Sequence, residues 1–271
     1  MTAVLQPAAA RRPAWARQGT VGLLDLDPDL GRGLLPTRFD AARRELQLRV
    51  FNVEPGPCRL DAATSGDDGW LGFLVIDGLL ARELLAHDVA SMELLGAGDV
   101  LRPWDEAADS ELLEAVVRWS ALARTQFAVL DQHVAVRLAR YPEIHCALLE
   151  RCSWRSRRLA VLQAISQLNR VDQRVLALLW HLAERWGRVT PDGIAVPLAL
   201  SHRMLGQLVG ARRPTISSAF AQLARAGEVV RGPDGTWLLT GSPVGRPDAK
   251  TANFVAPRRR MLPPSAEPVA V

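Results

Sequence analysis

A chain of 271 residues is long enough for two domains that each bury their own core, so neither disulfides nor a structural metal is needed to hold it together. Its three cysteines, Cys58, Cys146 and Cys152, are odd in number and contain no C-x-x-C pair, which argues against disulfide and zinc scaffolds and fits a reducing cytoplasm. The formal charge of +4 is uneven, with residues 170–271 summing to +7 and residues 1–169 to −3, so the C-terminal part is expected to meet a polyanion, nucleic acid first.

Residues 1–19 are rich in Ala, Pro and Arg without the apolar core of a signal peptide and read as a flexible arm. From Leu46 to Leu101 short apolar runs alternate with turn residues. Asp77-Gly78, between Leu71–Ile76 and Leu79–Ala81, is expected to close a hairpin. A second pair of runs, around Leu84–Leu85 and Ala90–Leu95, ends in Gly96-Ala97-Gly98-Asp99, and the whole suggests a small barrel or jelly roll. The most apolar stretch, Trp70–Ala81, is far short of the roughly 20 residues a membrane span needs, so no membrane partner is expected.

After Trp104 the spacing turns helical, with Leu112, Leu113, Val116 and Val117 on one side, before a last strand around Phe127–Leu130. Glu143–Leu168 reads as a long helix with an apolar stripe beginning at Ile144. Leu148, Cys152, Leu159, Leu162 and Ile165 on that stripe are the expected dimer seam, the alternative being a helix lying on its own core. Buried packing is the default expectation for the two helix cysteines. Asp172 is a candidate cap for a fresh helix over Val175–Trp186, followed by turns around a strand at Ile194–Val196. The tail from Ser242 is proline-rich, lacks periodicity and reads as disordered.

The most informative segment is Leu200–Leu223, which reads as helix, tight turn, helix. Ser201 can cap a first helix that buries Met204, Leu205 and Leu208, and Gly210 ends it. A second helix from about Pro214 to Ala226 buries Ile216, Phe220 and Leu223 and leaves Arg212, Arg213, Thr215, Ser217, Ser218 and Gln222 outside. Arginine can donate two hydrogen bonds to guanine, glutamine can pair with adenine, and hydroxyls at a helix N-terminus suit phosphate oxygens. Ser201 and His202 join these as expected DNA contacts. Val229–Arg231 and Thr236–Leu239, around Gly232–Gly235, form a wing in which Arg231 is placed to reach a phosphate.

In this order of elements the chain resembles the Crp/Fnr family of bacterial regulators over about residues 20–241. The likeness is carried by Leu205-Gly206-Gln207-Leu208-Val209-Gly210 and Arg213-Pro214-Thr215-Ile216-Ser217, with a fainter trace in Leu94–Val100. The resemblance implies an α+β chain: an arm (1–19), a jelly-roll-like β-roll sensor domain (20–142), a dimerisation helix (143–169), a winged helix-turn-helix (170–241) and a tail (242–271). It implies a cytoplasmic homodimer on partly palindromic double-stranded DNA, with RNA polymerase and an unidentified small-molecule effector as further partners. Pro214 stands where many members carry a glutamate that accepts from cytosine, so the half-site code must differ there or rest on shape. The Gly-Glu and Arg-Ala or Arg-Ser phosphate cassette is absent after Val100, which argues against cyclic AMP, and three cysteines cannot supply the four ligands of an iron–sulfur cluster.

No His pair among His87, His133, His145, His181 and His202 has metal-ligand spacing, so no metal or cofactor is expected. No Gly-rich phosphate loop, catalytic triad or paired carboxylates stand out, and an enzyme is the least favoured class. The alternative to a DNA-binding regulator is a ligand-binding interaction protein whose winged helix docks protein.

Overall fold

The computed structural model describes residues 19–60, 71–103, 115–232 and 234–241. The expected N-terminal arm up to residue 18, the helical spacing at Leu112 and Leu113, and the tail from Ser242 lie outside them.

Side chains of one face only can enter a core from a strand, and alternation along the chain builds the N-terminal unit. The elements run β1 (Thr20–Gly22), α1 (Leu23–Leu26), a single 3-10 turn (Pro28–Gly31), α2 (Pro36–Glu45), β2 (Gln47–Val53), β3 (Gly56–Cys58), β4 (Gly72–Asp77) and β5 (Leu79–Ala86). They continue with β6 (Val89–Gly96), β7 (Val100–Leu101), β8 (Ala115–Ala121), β9 (Thr125–Leu130), α3 (Gln132–Leu138) and α4 (Pro142–Ser166). Two sheets form, in the orders β1-β2-β9-β4-β7 and β3-β8-β5-β6.

The odd-numbered side chains of β9, Phe127 and Val129, enter a core shared with Phe51, Phe73, Leu80, Leu95 and Trp119, drawn from both sheets. Phe51 stacks on Phe127 at 4.9 Å between ring centroids, and Phe73 meets Phe51 edge-on at 5.3 Å. The even-numbered Ala128 and Leu130 face the other way, into a second core with Leu48, Leu74 and residues of α1, α3 and the first turns of α4. This is the β-roll expected from the sequence, and α1, α2 and α3 on its outer face are additions that the sequence pattern does not predict.

Four local expectations need correction here. Asp77-Gly78 does not close a hairpin: β4 and β5 belong to different sheets, and the pair carries the chain across between them. Val116 and Val117 are in strand β8, not helix. Val117, Trp119 and Ala121 turn towards the core while Val116 and Arg118 are exposed, a period of two that the preceding leucines concealed. In α4, Ile144 and Leu148 are buried in this unit's own core, and Ile165 is only 7% exposed. Leu148 and Ile165 are therefore unavailable as seam residues. Cys146 and Cys152, by contrast, are exposed rather than buried.

The chain divides into two compact units at Trp154/Arg155, within α4, and Asp88–Glu93 cluster with the C-terminal unit. Glu93, a buried carboxylate, accepts two hydrogen bonds from Arg155 at 2.7 and 2.8 Å. In the N-terminal unit Arg151, also buried, meets Asp27 at 2.6 Å. Pairing is what makes burial of these charges tolerable. Arg151 and Arg155 of α4 are thus tied inward rather than left in water.

The C-terminal unit is an α-helical core backed by a small sheet. It comprises α5 (Val171–Trp186), β10 (Arg188–Thr190), β11 (Gly193–Val196), α6 (His202–Val209), α7 (Arg213–Arg225), β12 (Val229–Arg231) and β13 (Trp237–Leu239). Val175, Leu176, Leu178, Leu179 and Leu182 of α5 are buried, and α5 packs against α6 and α7. Each such side chain contributes roughly 1.5–3 kcal/mol by leaving water. Asp172 is not the N-cap of α5. Arg170 holds that position, and its guanidinium grips Asp172 at 2.7 Å within the first turn of the helix, which holds the Asp172 carboxyl below its ordinary range. An acidic group there also complements the helix N-terminus.

Candidate nucleic-acid interface

Two short helices meet across a turn whose geometry the sequence dictates residue by residue. Ser201 stays extended at the N-cap of α6, and its Oγ accepts from the Met204 N–H at 3.2 Å. Gly210 closes α6 in the left-handed conformation, φ 65°, which a side-chain-bearing residue adopts only at a cost. Gly206 permits the close approach of the turn. The Ala211 N–H donates to the Gly206 carbonyl at 2.8 Å, and a Cβ on Gly206 would stand 2.4 Å from the Ala211 carbonyl oxygen. Arg174 of α5 reinforces the turn from below, donating to the carbonyls of Val209 and Gly210 at 3.4 Å and of Leu168 at 2.6 Å.

Helix α7 starts at Arg213, with Arg212 as its N-cap and Pro214 in its first turn, where a missing N–H costs nothing. Its inner face is Ile216, Ala219, Phe220 and Leu223, all buried. All six side chains expected outside, Arg212, Arg213, Thr215, Ser217, Ser218 and Gln222, are exposed. Of the expected first-helix core, Leu205 and Leu208 are buried, and Met204 is half-buried. The hydroxyls of Ser217 and Ser218 donate back to the carbonyls of Arg213 and Pro214 at 3.2 and 3.3 Å. They present lone pairs outward until a stronger acceptor draws their protons away.

Behind the helix pair, β12 and β13 form the wing, joined to β11 and β10 in a four-stranded sheet of order β10-β11-β13-β12. Only β11 of the two additional strands was legible beforehand; β10 was not anticipated. The wing is fixed to the reading helix by an aromatic pile. His202, Phe220 and Trp237 stack in sequence, with centroids 5.2 Å and 4.3 Å apart. The Arg231 guanidinium lies 5.1 Å from the Trp237 ring centroid, a favourable place for a cation. His202 Nδ1 is 2.9 Å from Ser217 Oγ.

Ser201, His202, Arg203, Arg213 and Arg231 line one cleft of about 630 Å3. Three guanidinium groups on one concave surface create a strong positive potential, and a phosphodiester is the chemistry that matches it. Burial first, and then the positive charges of Arg231 and Arg213, hold the His202 imidazole below its ordinary pKa. Of the expected contacts, the cleft brings together Ser201, His202, Arg213 and Arg231. Thr215, Ser218, Gln222 and Arg212 are exposed outside its lining. Arg203 was missed, although an arginine in the first turn of a helix opening on a basic surface is a readable signal.

Residues 173–239 match the family model of the Crp-like helix-turn-helix domain. The chain carries a Crp-like helix-turn-helix domain. Solved structures extend the likeness to the fold of the longer chain. A CooA variant from Carboxydothermus hydrogenoformans is 19% identical over 72% of this chain and 84% of that one, with a TM-score of 0.57. FixK2 from Bradyrhizobium japonicum is 16% identical over 72% and 93%, TM-score 0.53. A cyclic nucleotide-binding domain containing protein from Listeria monocytogenes is 14% identical over 79% and 97%, TM-score 0.58. No curated protein matches the sequence. The fold is thus a β-roll like that of these structures followed by a Crp-like helix-turn-helix domain. Among the described residues no helix is long and apolar enough to cross a membrane.

Proposed function

We propose that the protein regulates transcription by binding a partly palindromic duplex as a homodimer, with the outer face of α7 in the major groove and Arg231 of the wing on the phosphate backbone. One observation carries the reading: α7 buries an unbroken apolar face and turns Arg213, Thr215, Ser217, Ser218 and Gln222 outward, beside a cleft lined by three arginines. Arg213 and Gln222 are the direct base readers, while Ser201, His202, Arg212, Thr215, Ser217, Ser218 and Arg231 set register on phosphates.

Self-association through α4 is supported by its exposed apolar side chains. Leu149 is 65% and Leu159 38% exposed, and with Cys152 they follow steps of three and seven residues, the spacing of a coiled-coil seam. This strip, with the half-buried Leu162, replaces the one built on Leu148 and Ile165. The β-roll is assigned a sensing role with an effector other than cyclic AMP, since the phosphate-holding cassette is absent from the sequence after Val100.

Selection of bound sequences from a random duplex pool tests the proposal. A two-fold symmetric consensus with half-sites about one helical turn apart is the expected result; an asymmetric consensus, or no enrichment, would overturn it.

A further inference from the structure

His202 occupies an unusual position for a titrating side chain. It sits on a floor of Phe220 and Trp237 rings, in a cleft otherwise lined by Ser201, Arg203, Arg213 and Arg231. Its two ring nitrogens are not equivalent. Nδ1 lies 2.9 Å from Ser217 Oγ, and the Ser217 hydroxyl proton is directed at the Arg213 carbonyl oxygen, 3.2 Å away. A hydroxyl has one proton to give and lone pairs to receive with, so whenever Ser217 gives its proton to the Arg213 carbonyl it accepts from His202. In that arrangement the neutral ring carries its proton on Nδ1 and leaves a lone pair on Nε2. A phosphate oxygen meets no donor there. Protonation changes this: the imidazolium keeps the Ser217 bond and gains an Nε2–H.

We infer that His202 is a proton-gated phosphate contact, neutral in the free protein and protonated when a DNA phosphodiester enters the cleft, so that each protomer takes up a proton on binding. This rests on the DNA-binding reading above and adds to it a pH dependence.

The surroundings favour the neutral form in the absence of DNA. The charged groups around the ring are Arg203 on α6, Arg213 on α7 and Arg231 on β12; the neighbours from α7 and β13 that stack with it, Phe220 and Trp237, are uncharged. Burial and the charges of Arg231 and Arg213 depress the pKa of the free ring. A phosphate in the cleft reverses the balance by placing a negative charge beside the ring while screening the guanidinium groups. The bound pKa thus exceeds the free one. The gain in affinity is then fully present below the free-state pKa and is lost as pH rises through the bound-state value.

The test is the affinity of the full chain for a labelled random-sequence duplex, at fixed ionic strength, from about pH 8 to about pH 5.5. A difference of one pKa unit between bound and free rings gives ~10-fold per protomer. The wild type is expected to bind on that order more tightly at the acid end, and His202→Gln, which keeps a donor but cannot titrate, to bind with a nearly flat profile. In the wild type, the NMR titration midpoint of the His202 ring is expected to rise when the duplex is added, a readout independent of how well the variant folds. A pH-independent wild type, a variant that retains the full dependence, or an unmoved ring midpoint would each overturn the inference while leaving DNA binding intact. Absence of binding at every pH would overturn the DNA-binding reading itself.

Discussion

Replacing Gly206 with alanine adds one methyl group at the tightest point of the helix-turn-helix. The new Cβ would lie 2.4 Å from the Ala211 carbonyl oxygen, inside the 3.0 Å that real Cβ contacts essentially never breach. The obstacle is backbone, and it is tethered, because the Ala211 N–H donates to the Gly206 carbonyl at 2.8 Å. Relief requires the turn to move away by more than half an ångström, which strains or breaks that bond. Overpacking costs about 1–3 kcal/mol and a lost hydrogen bond about 0.5–1.5 kcal/mol. Against this, alanine gains about 1 kcal/mol of helix propensity over glycine. The net expectation is a loss of about 2 kcal/mol, or a fall of roughly 8–16 °C in the melting of a domain this size. Thermal unfolding of the full chain by calorimetry reads the shift directly, and it should be confined to the transition of the C-terminal unit. DNA affinity should also fall at temperatures where the variant is folded, because Arg213 and Ser217 move relative to His202. A Gly206→Ala protein as stable as the wild type, or more stable by the propensity gain, would refute the close approach on which this rests.

Burial raises the pKa of the Cys58 thiol, whereas Cys146 is exposed; iodoacetamide near neutral pH should modify Cys146 before Cys58, with Cys58 reacting only as the pH is raised and Cys152 shielded by the proposed seam, as peptide mapping would show. The Asp172 carboxyl is depressed by its hydrogen bond to Arg170, so its contribution to stability is complete above the ordinary carboxylate pKa of about 3.9 and disappears as pH falls through the lower, folded value. Asp172→Asn should flatten this acid limb in urea unfolding carried out across pH, and an unchanged limb would deny the pair any role. Leu149→Glu combined with Leu159→Glu should convert a dimer into monomer in sedimentation experiments, whereas Leu148→Glu should damage the fold of the N-terminal unit instead.

The helix-turn-helix was the most legible part of the chain because each local signal agreed with the next. The Ser201 cap, the Gly210 stop and the spacing of Ile216, Phe220 and Leu223 all specify the same two helices. The β-roll was legible as a class but not in its wiring. Asp77-Gly78 marks a real reversal, yet nothing local says that the following strand hydrogen-bonds to a different sheet. Val116 and Val117 were misread because a pair of adjacent valines satisfies a helical spacing as well as it begins a strand. The stripe on α4 was correctly seen as apolar, but a stripe does not reveal whether it faces its own chain or another. Ile144 and Leu148 complete the core beneath β9, a contact distant in sequence. The cleft around His202 was hidden for the same reason: Ser201, Arg213 and Arg231 are brought together only when the wing folds back over α6 and α7.

Among the described residues, the four-stranded sheet of the C-terminal unit has β10 and β12 at its two margins. Their backbones could accept a strand from a neighbouring molecule, and Val189 and Val230, 88% and 50% exposed, would offer it an apolar grip. Each margin is only three residues long and carries an arginine, Arg188 or Arg231, which leaves too little pairing and too much charge for such growth. Only a longer strand stripped of its arginine would remove both of these obstacles to edge-to-edge growth.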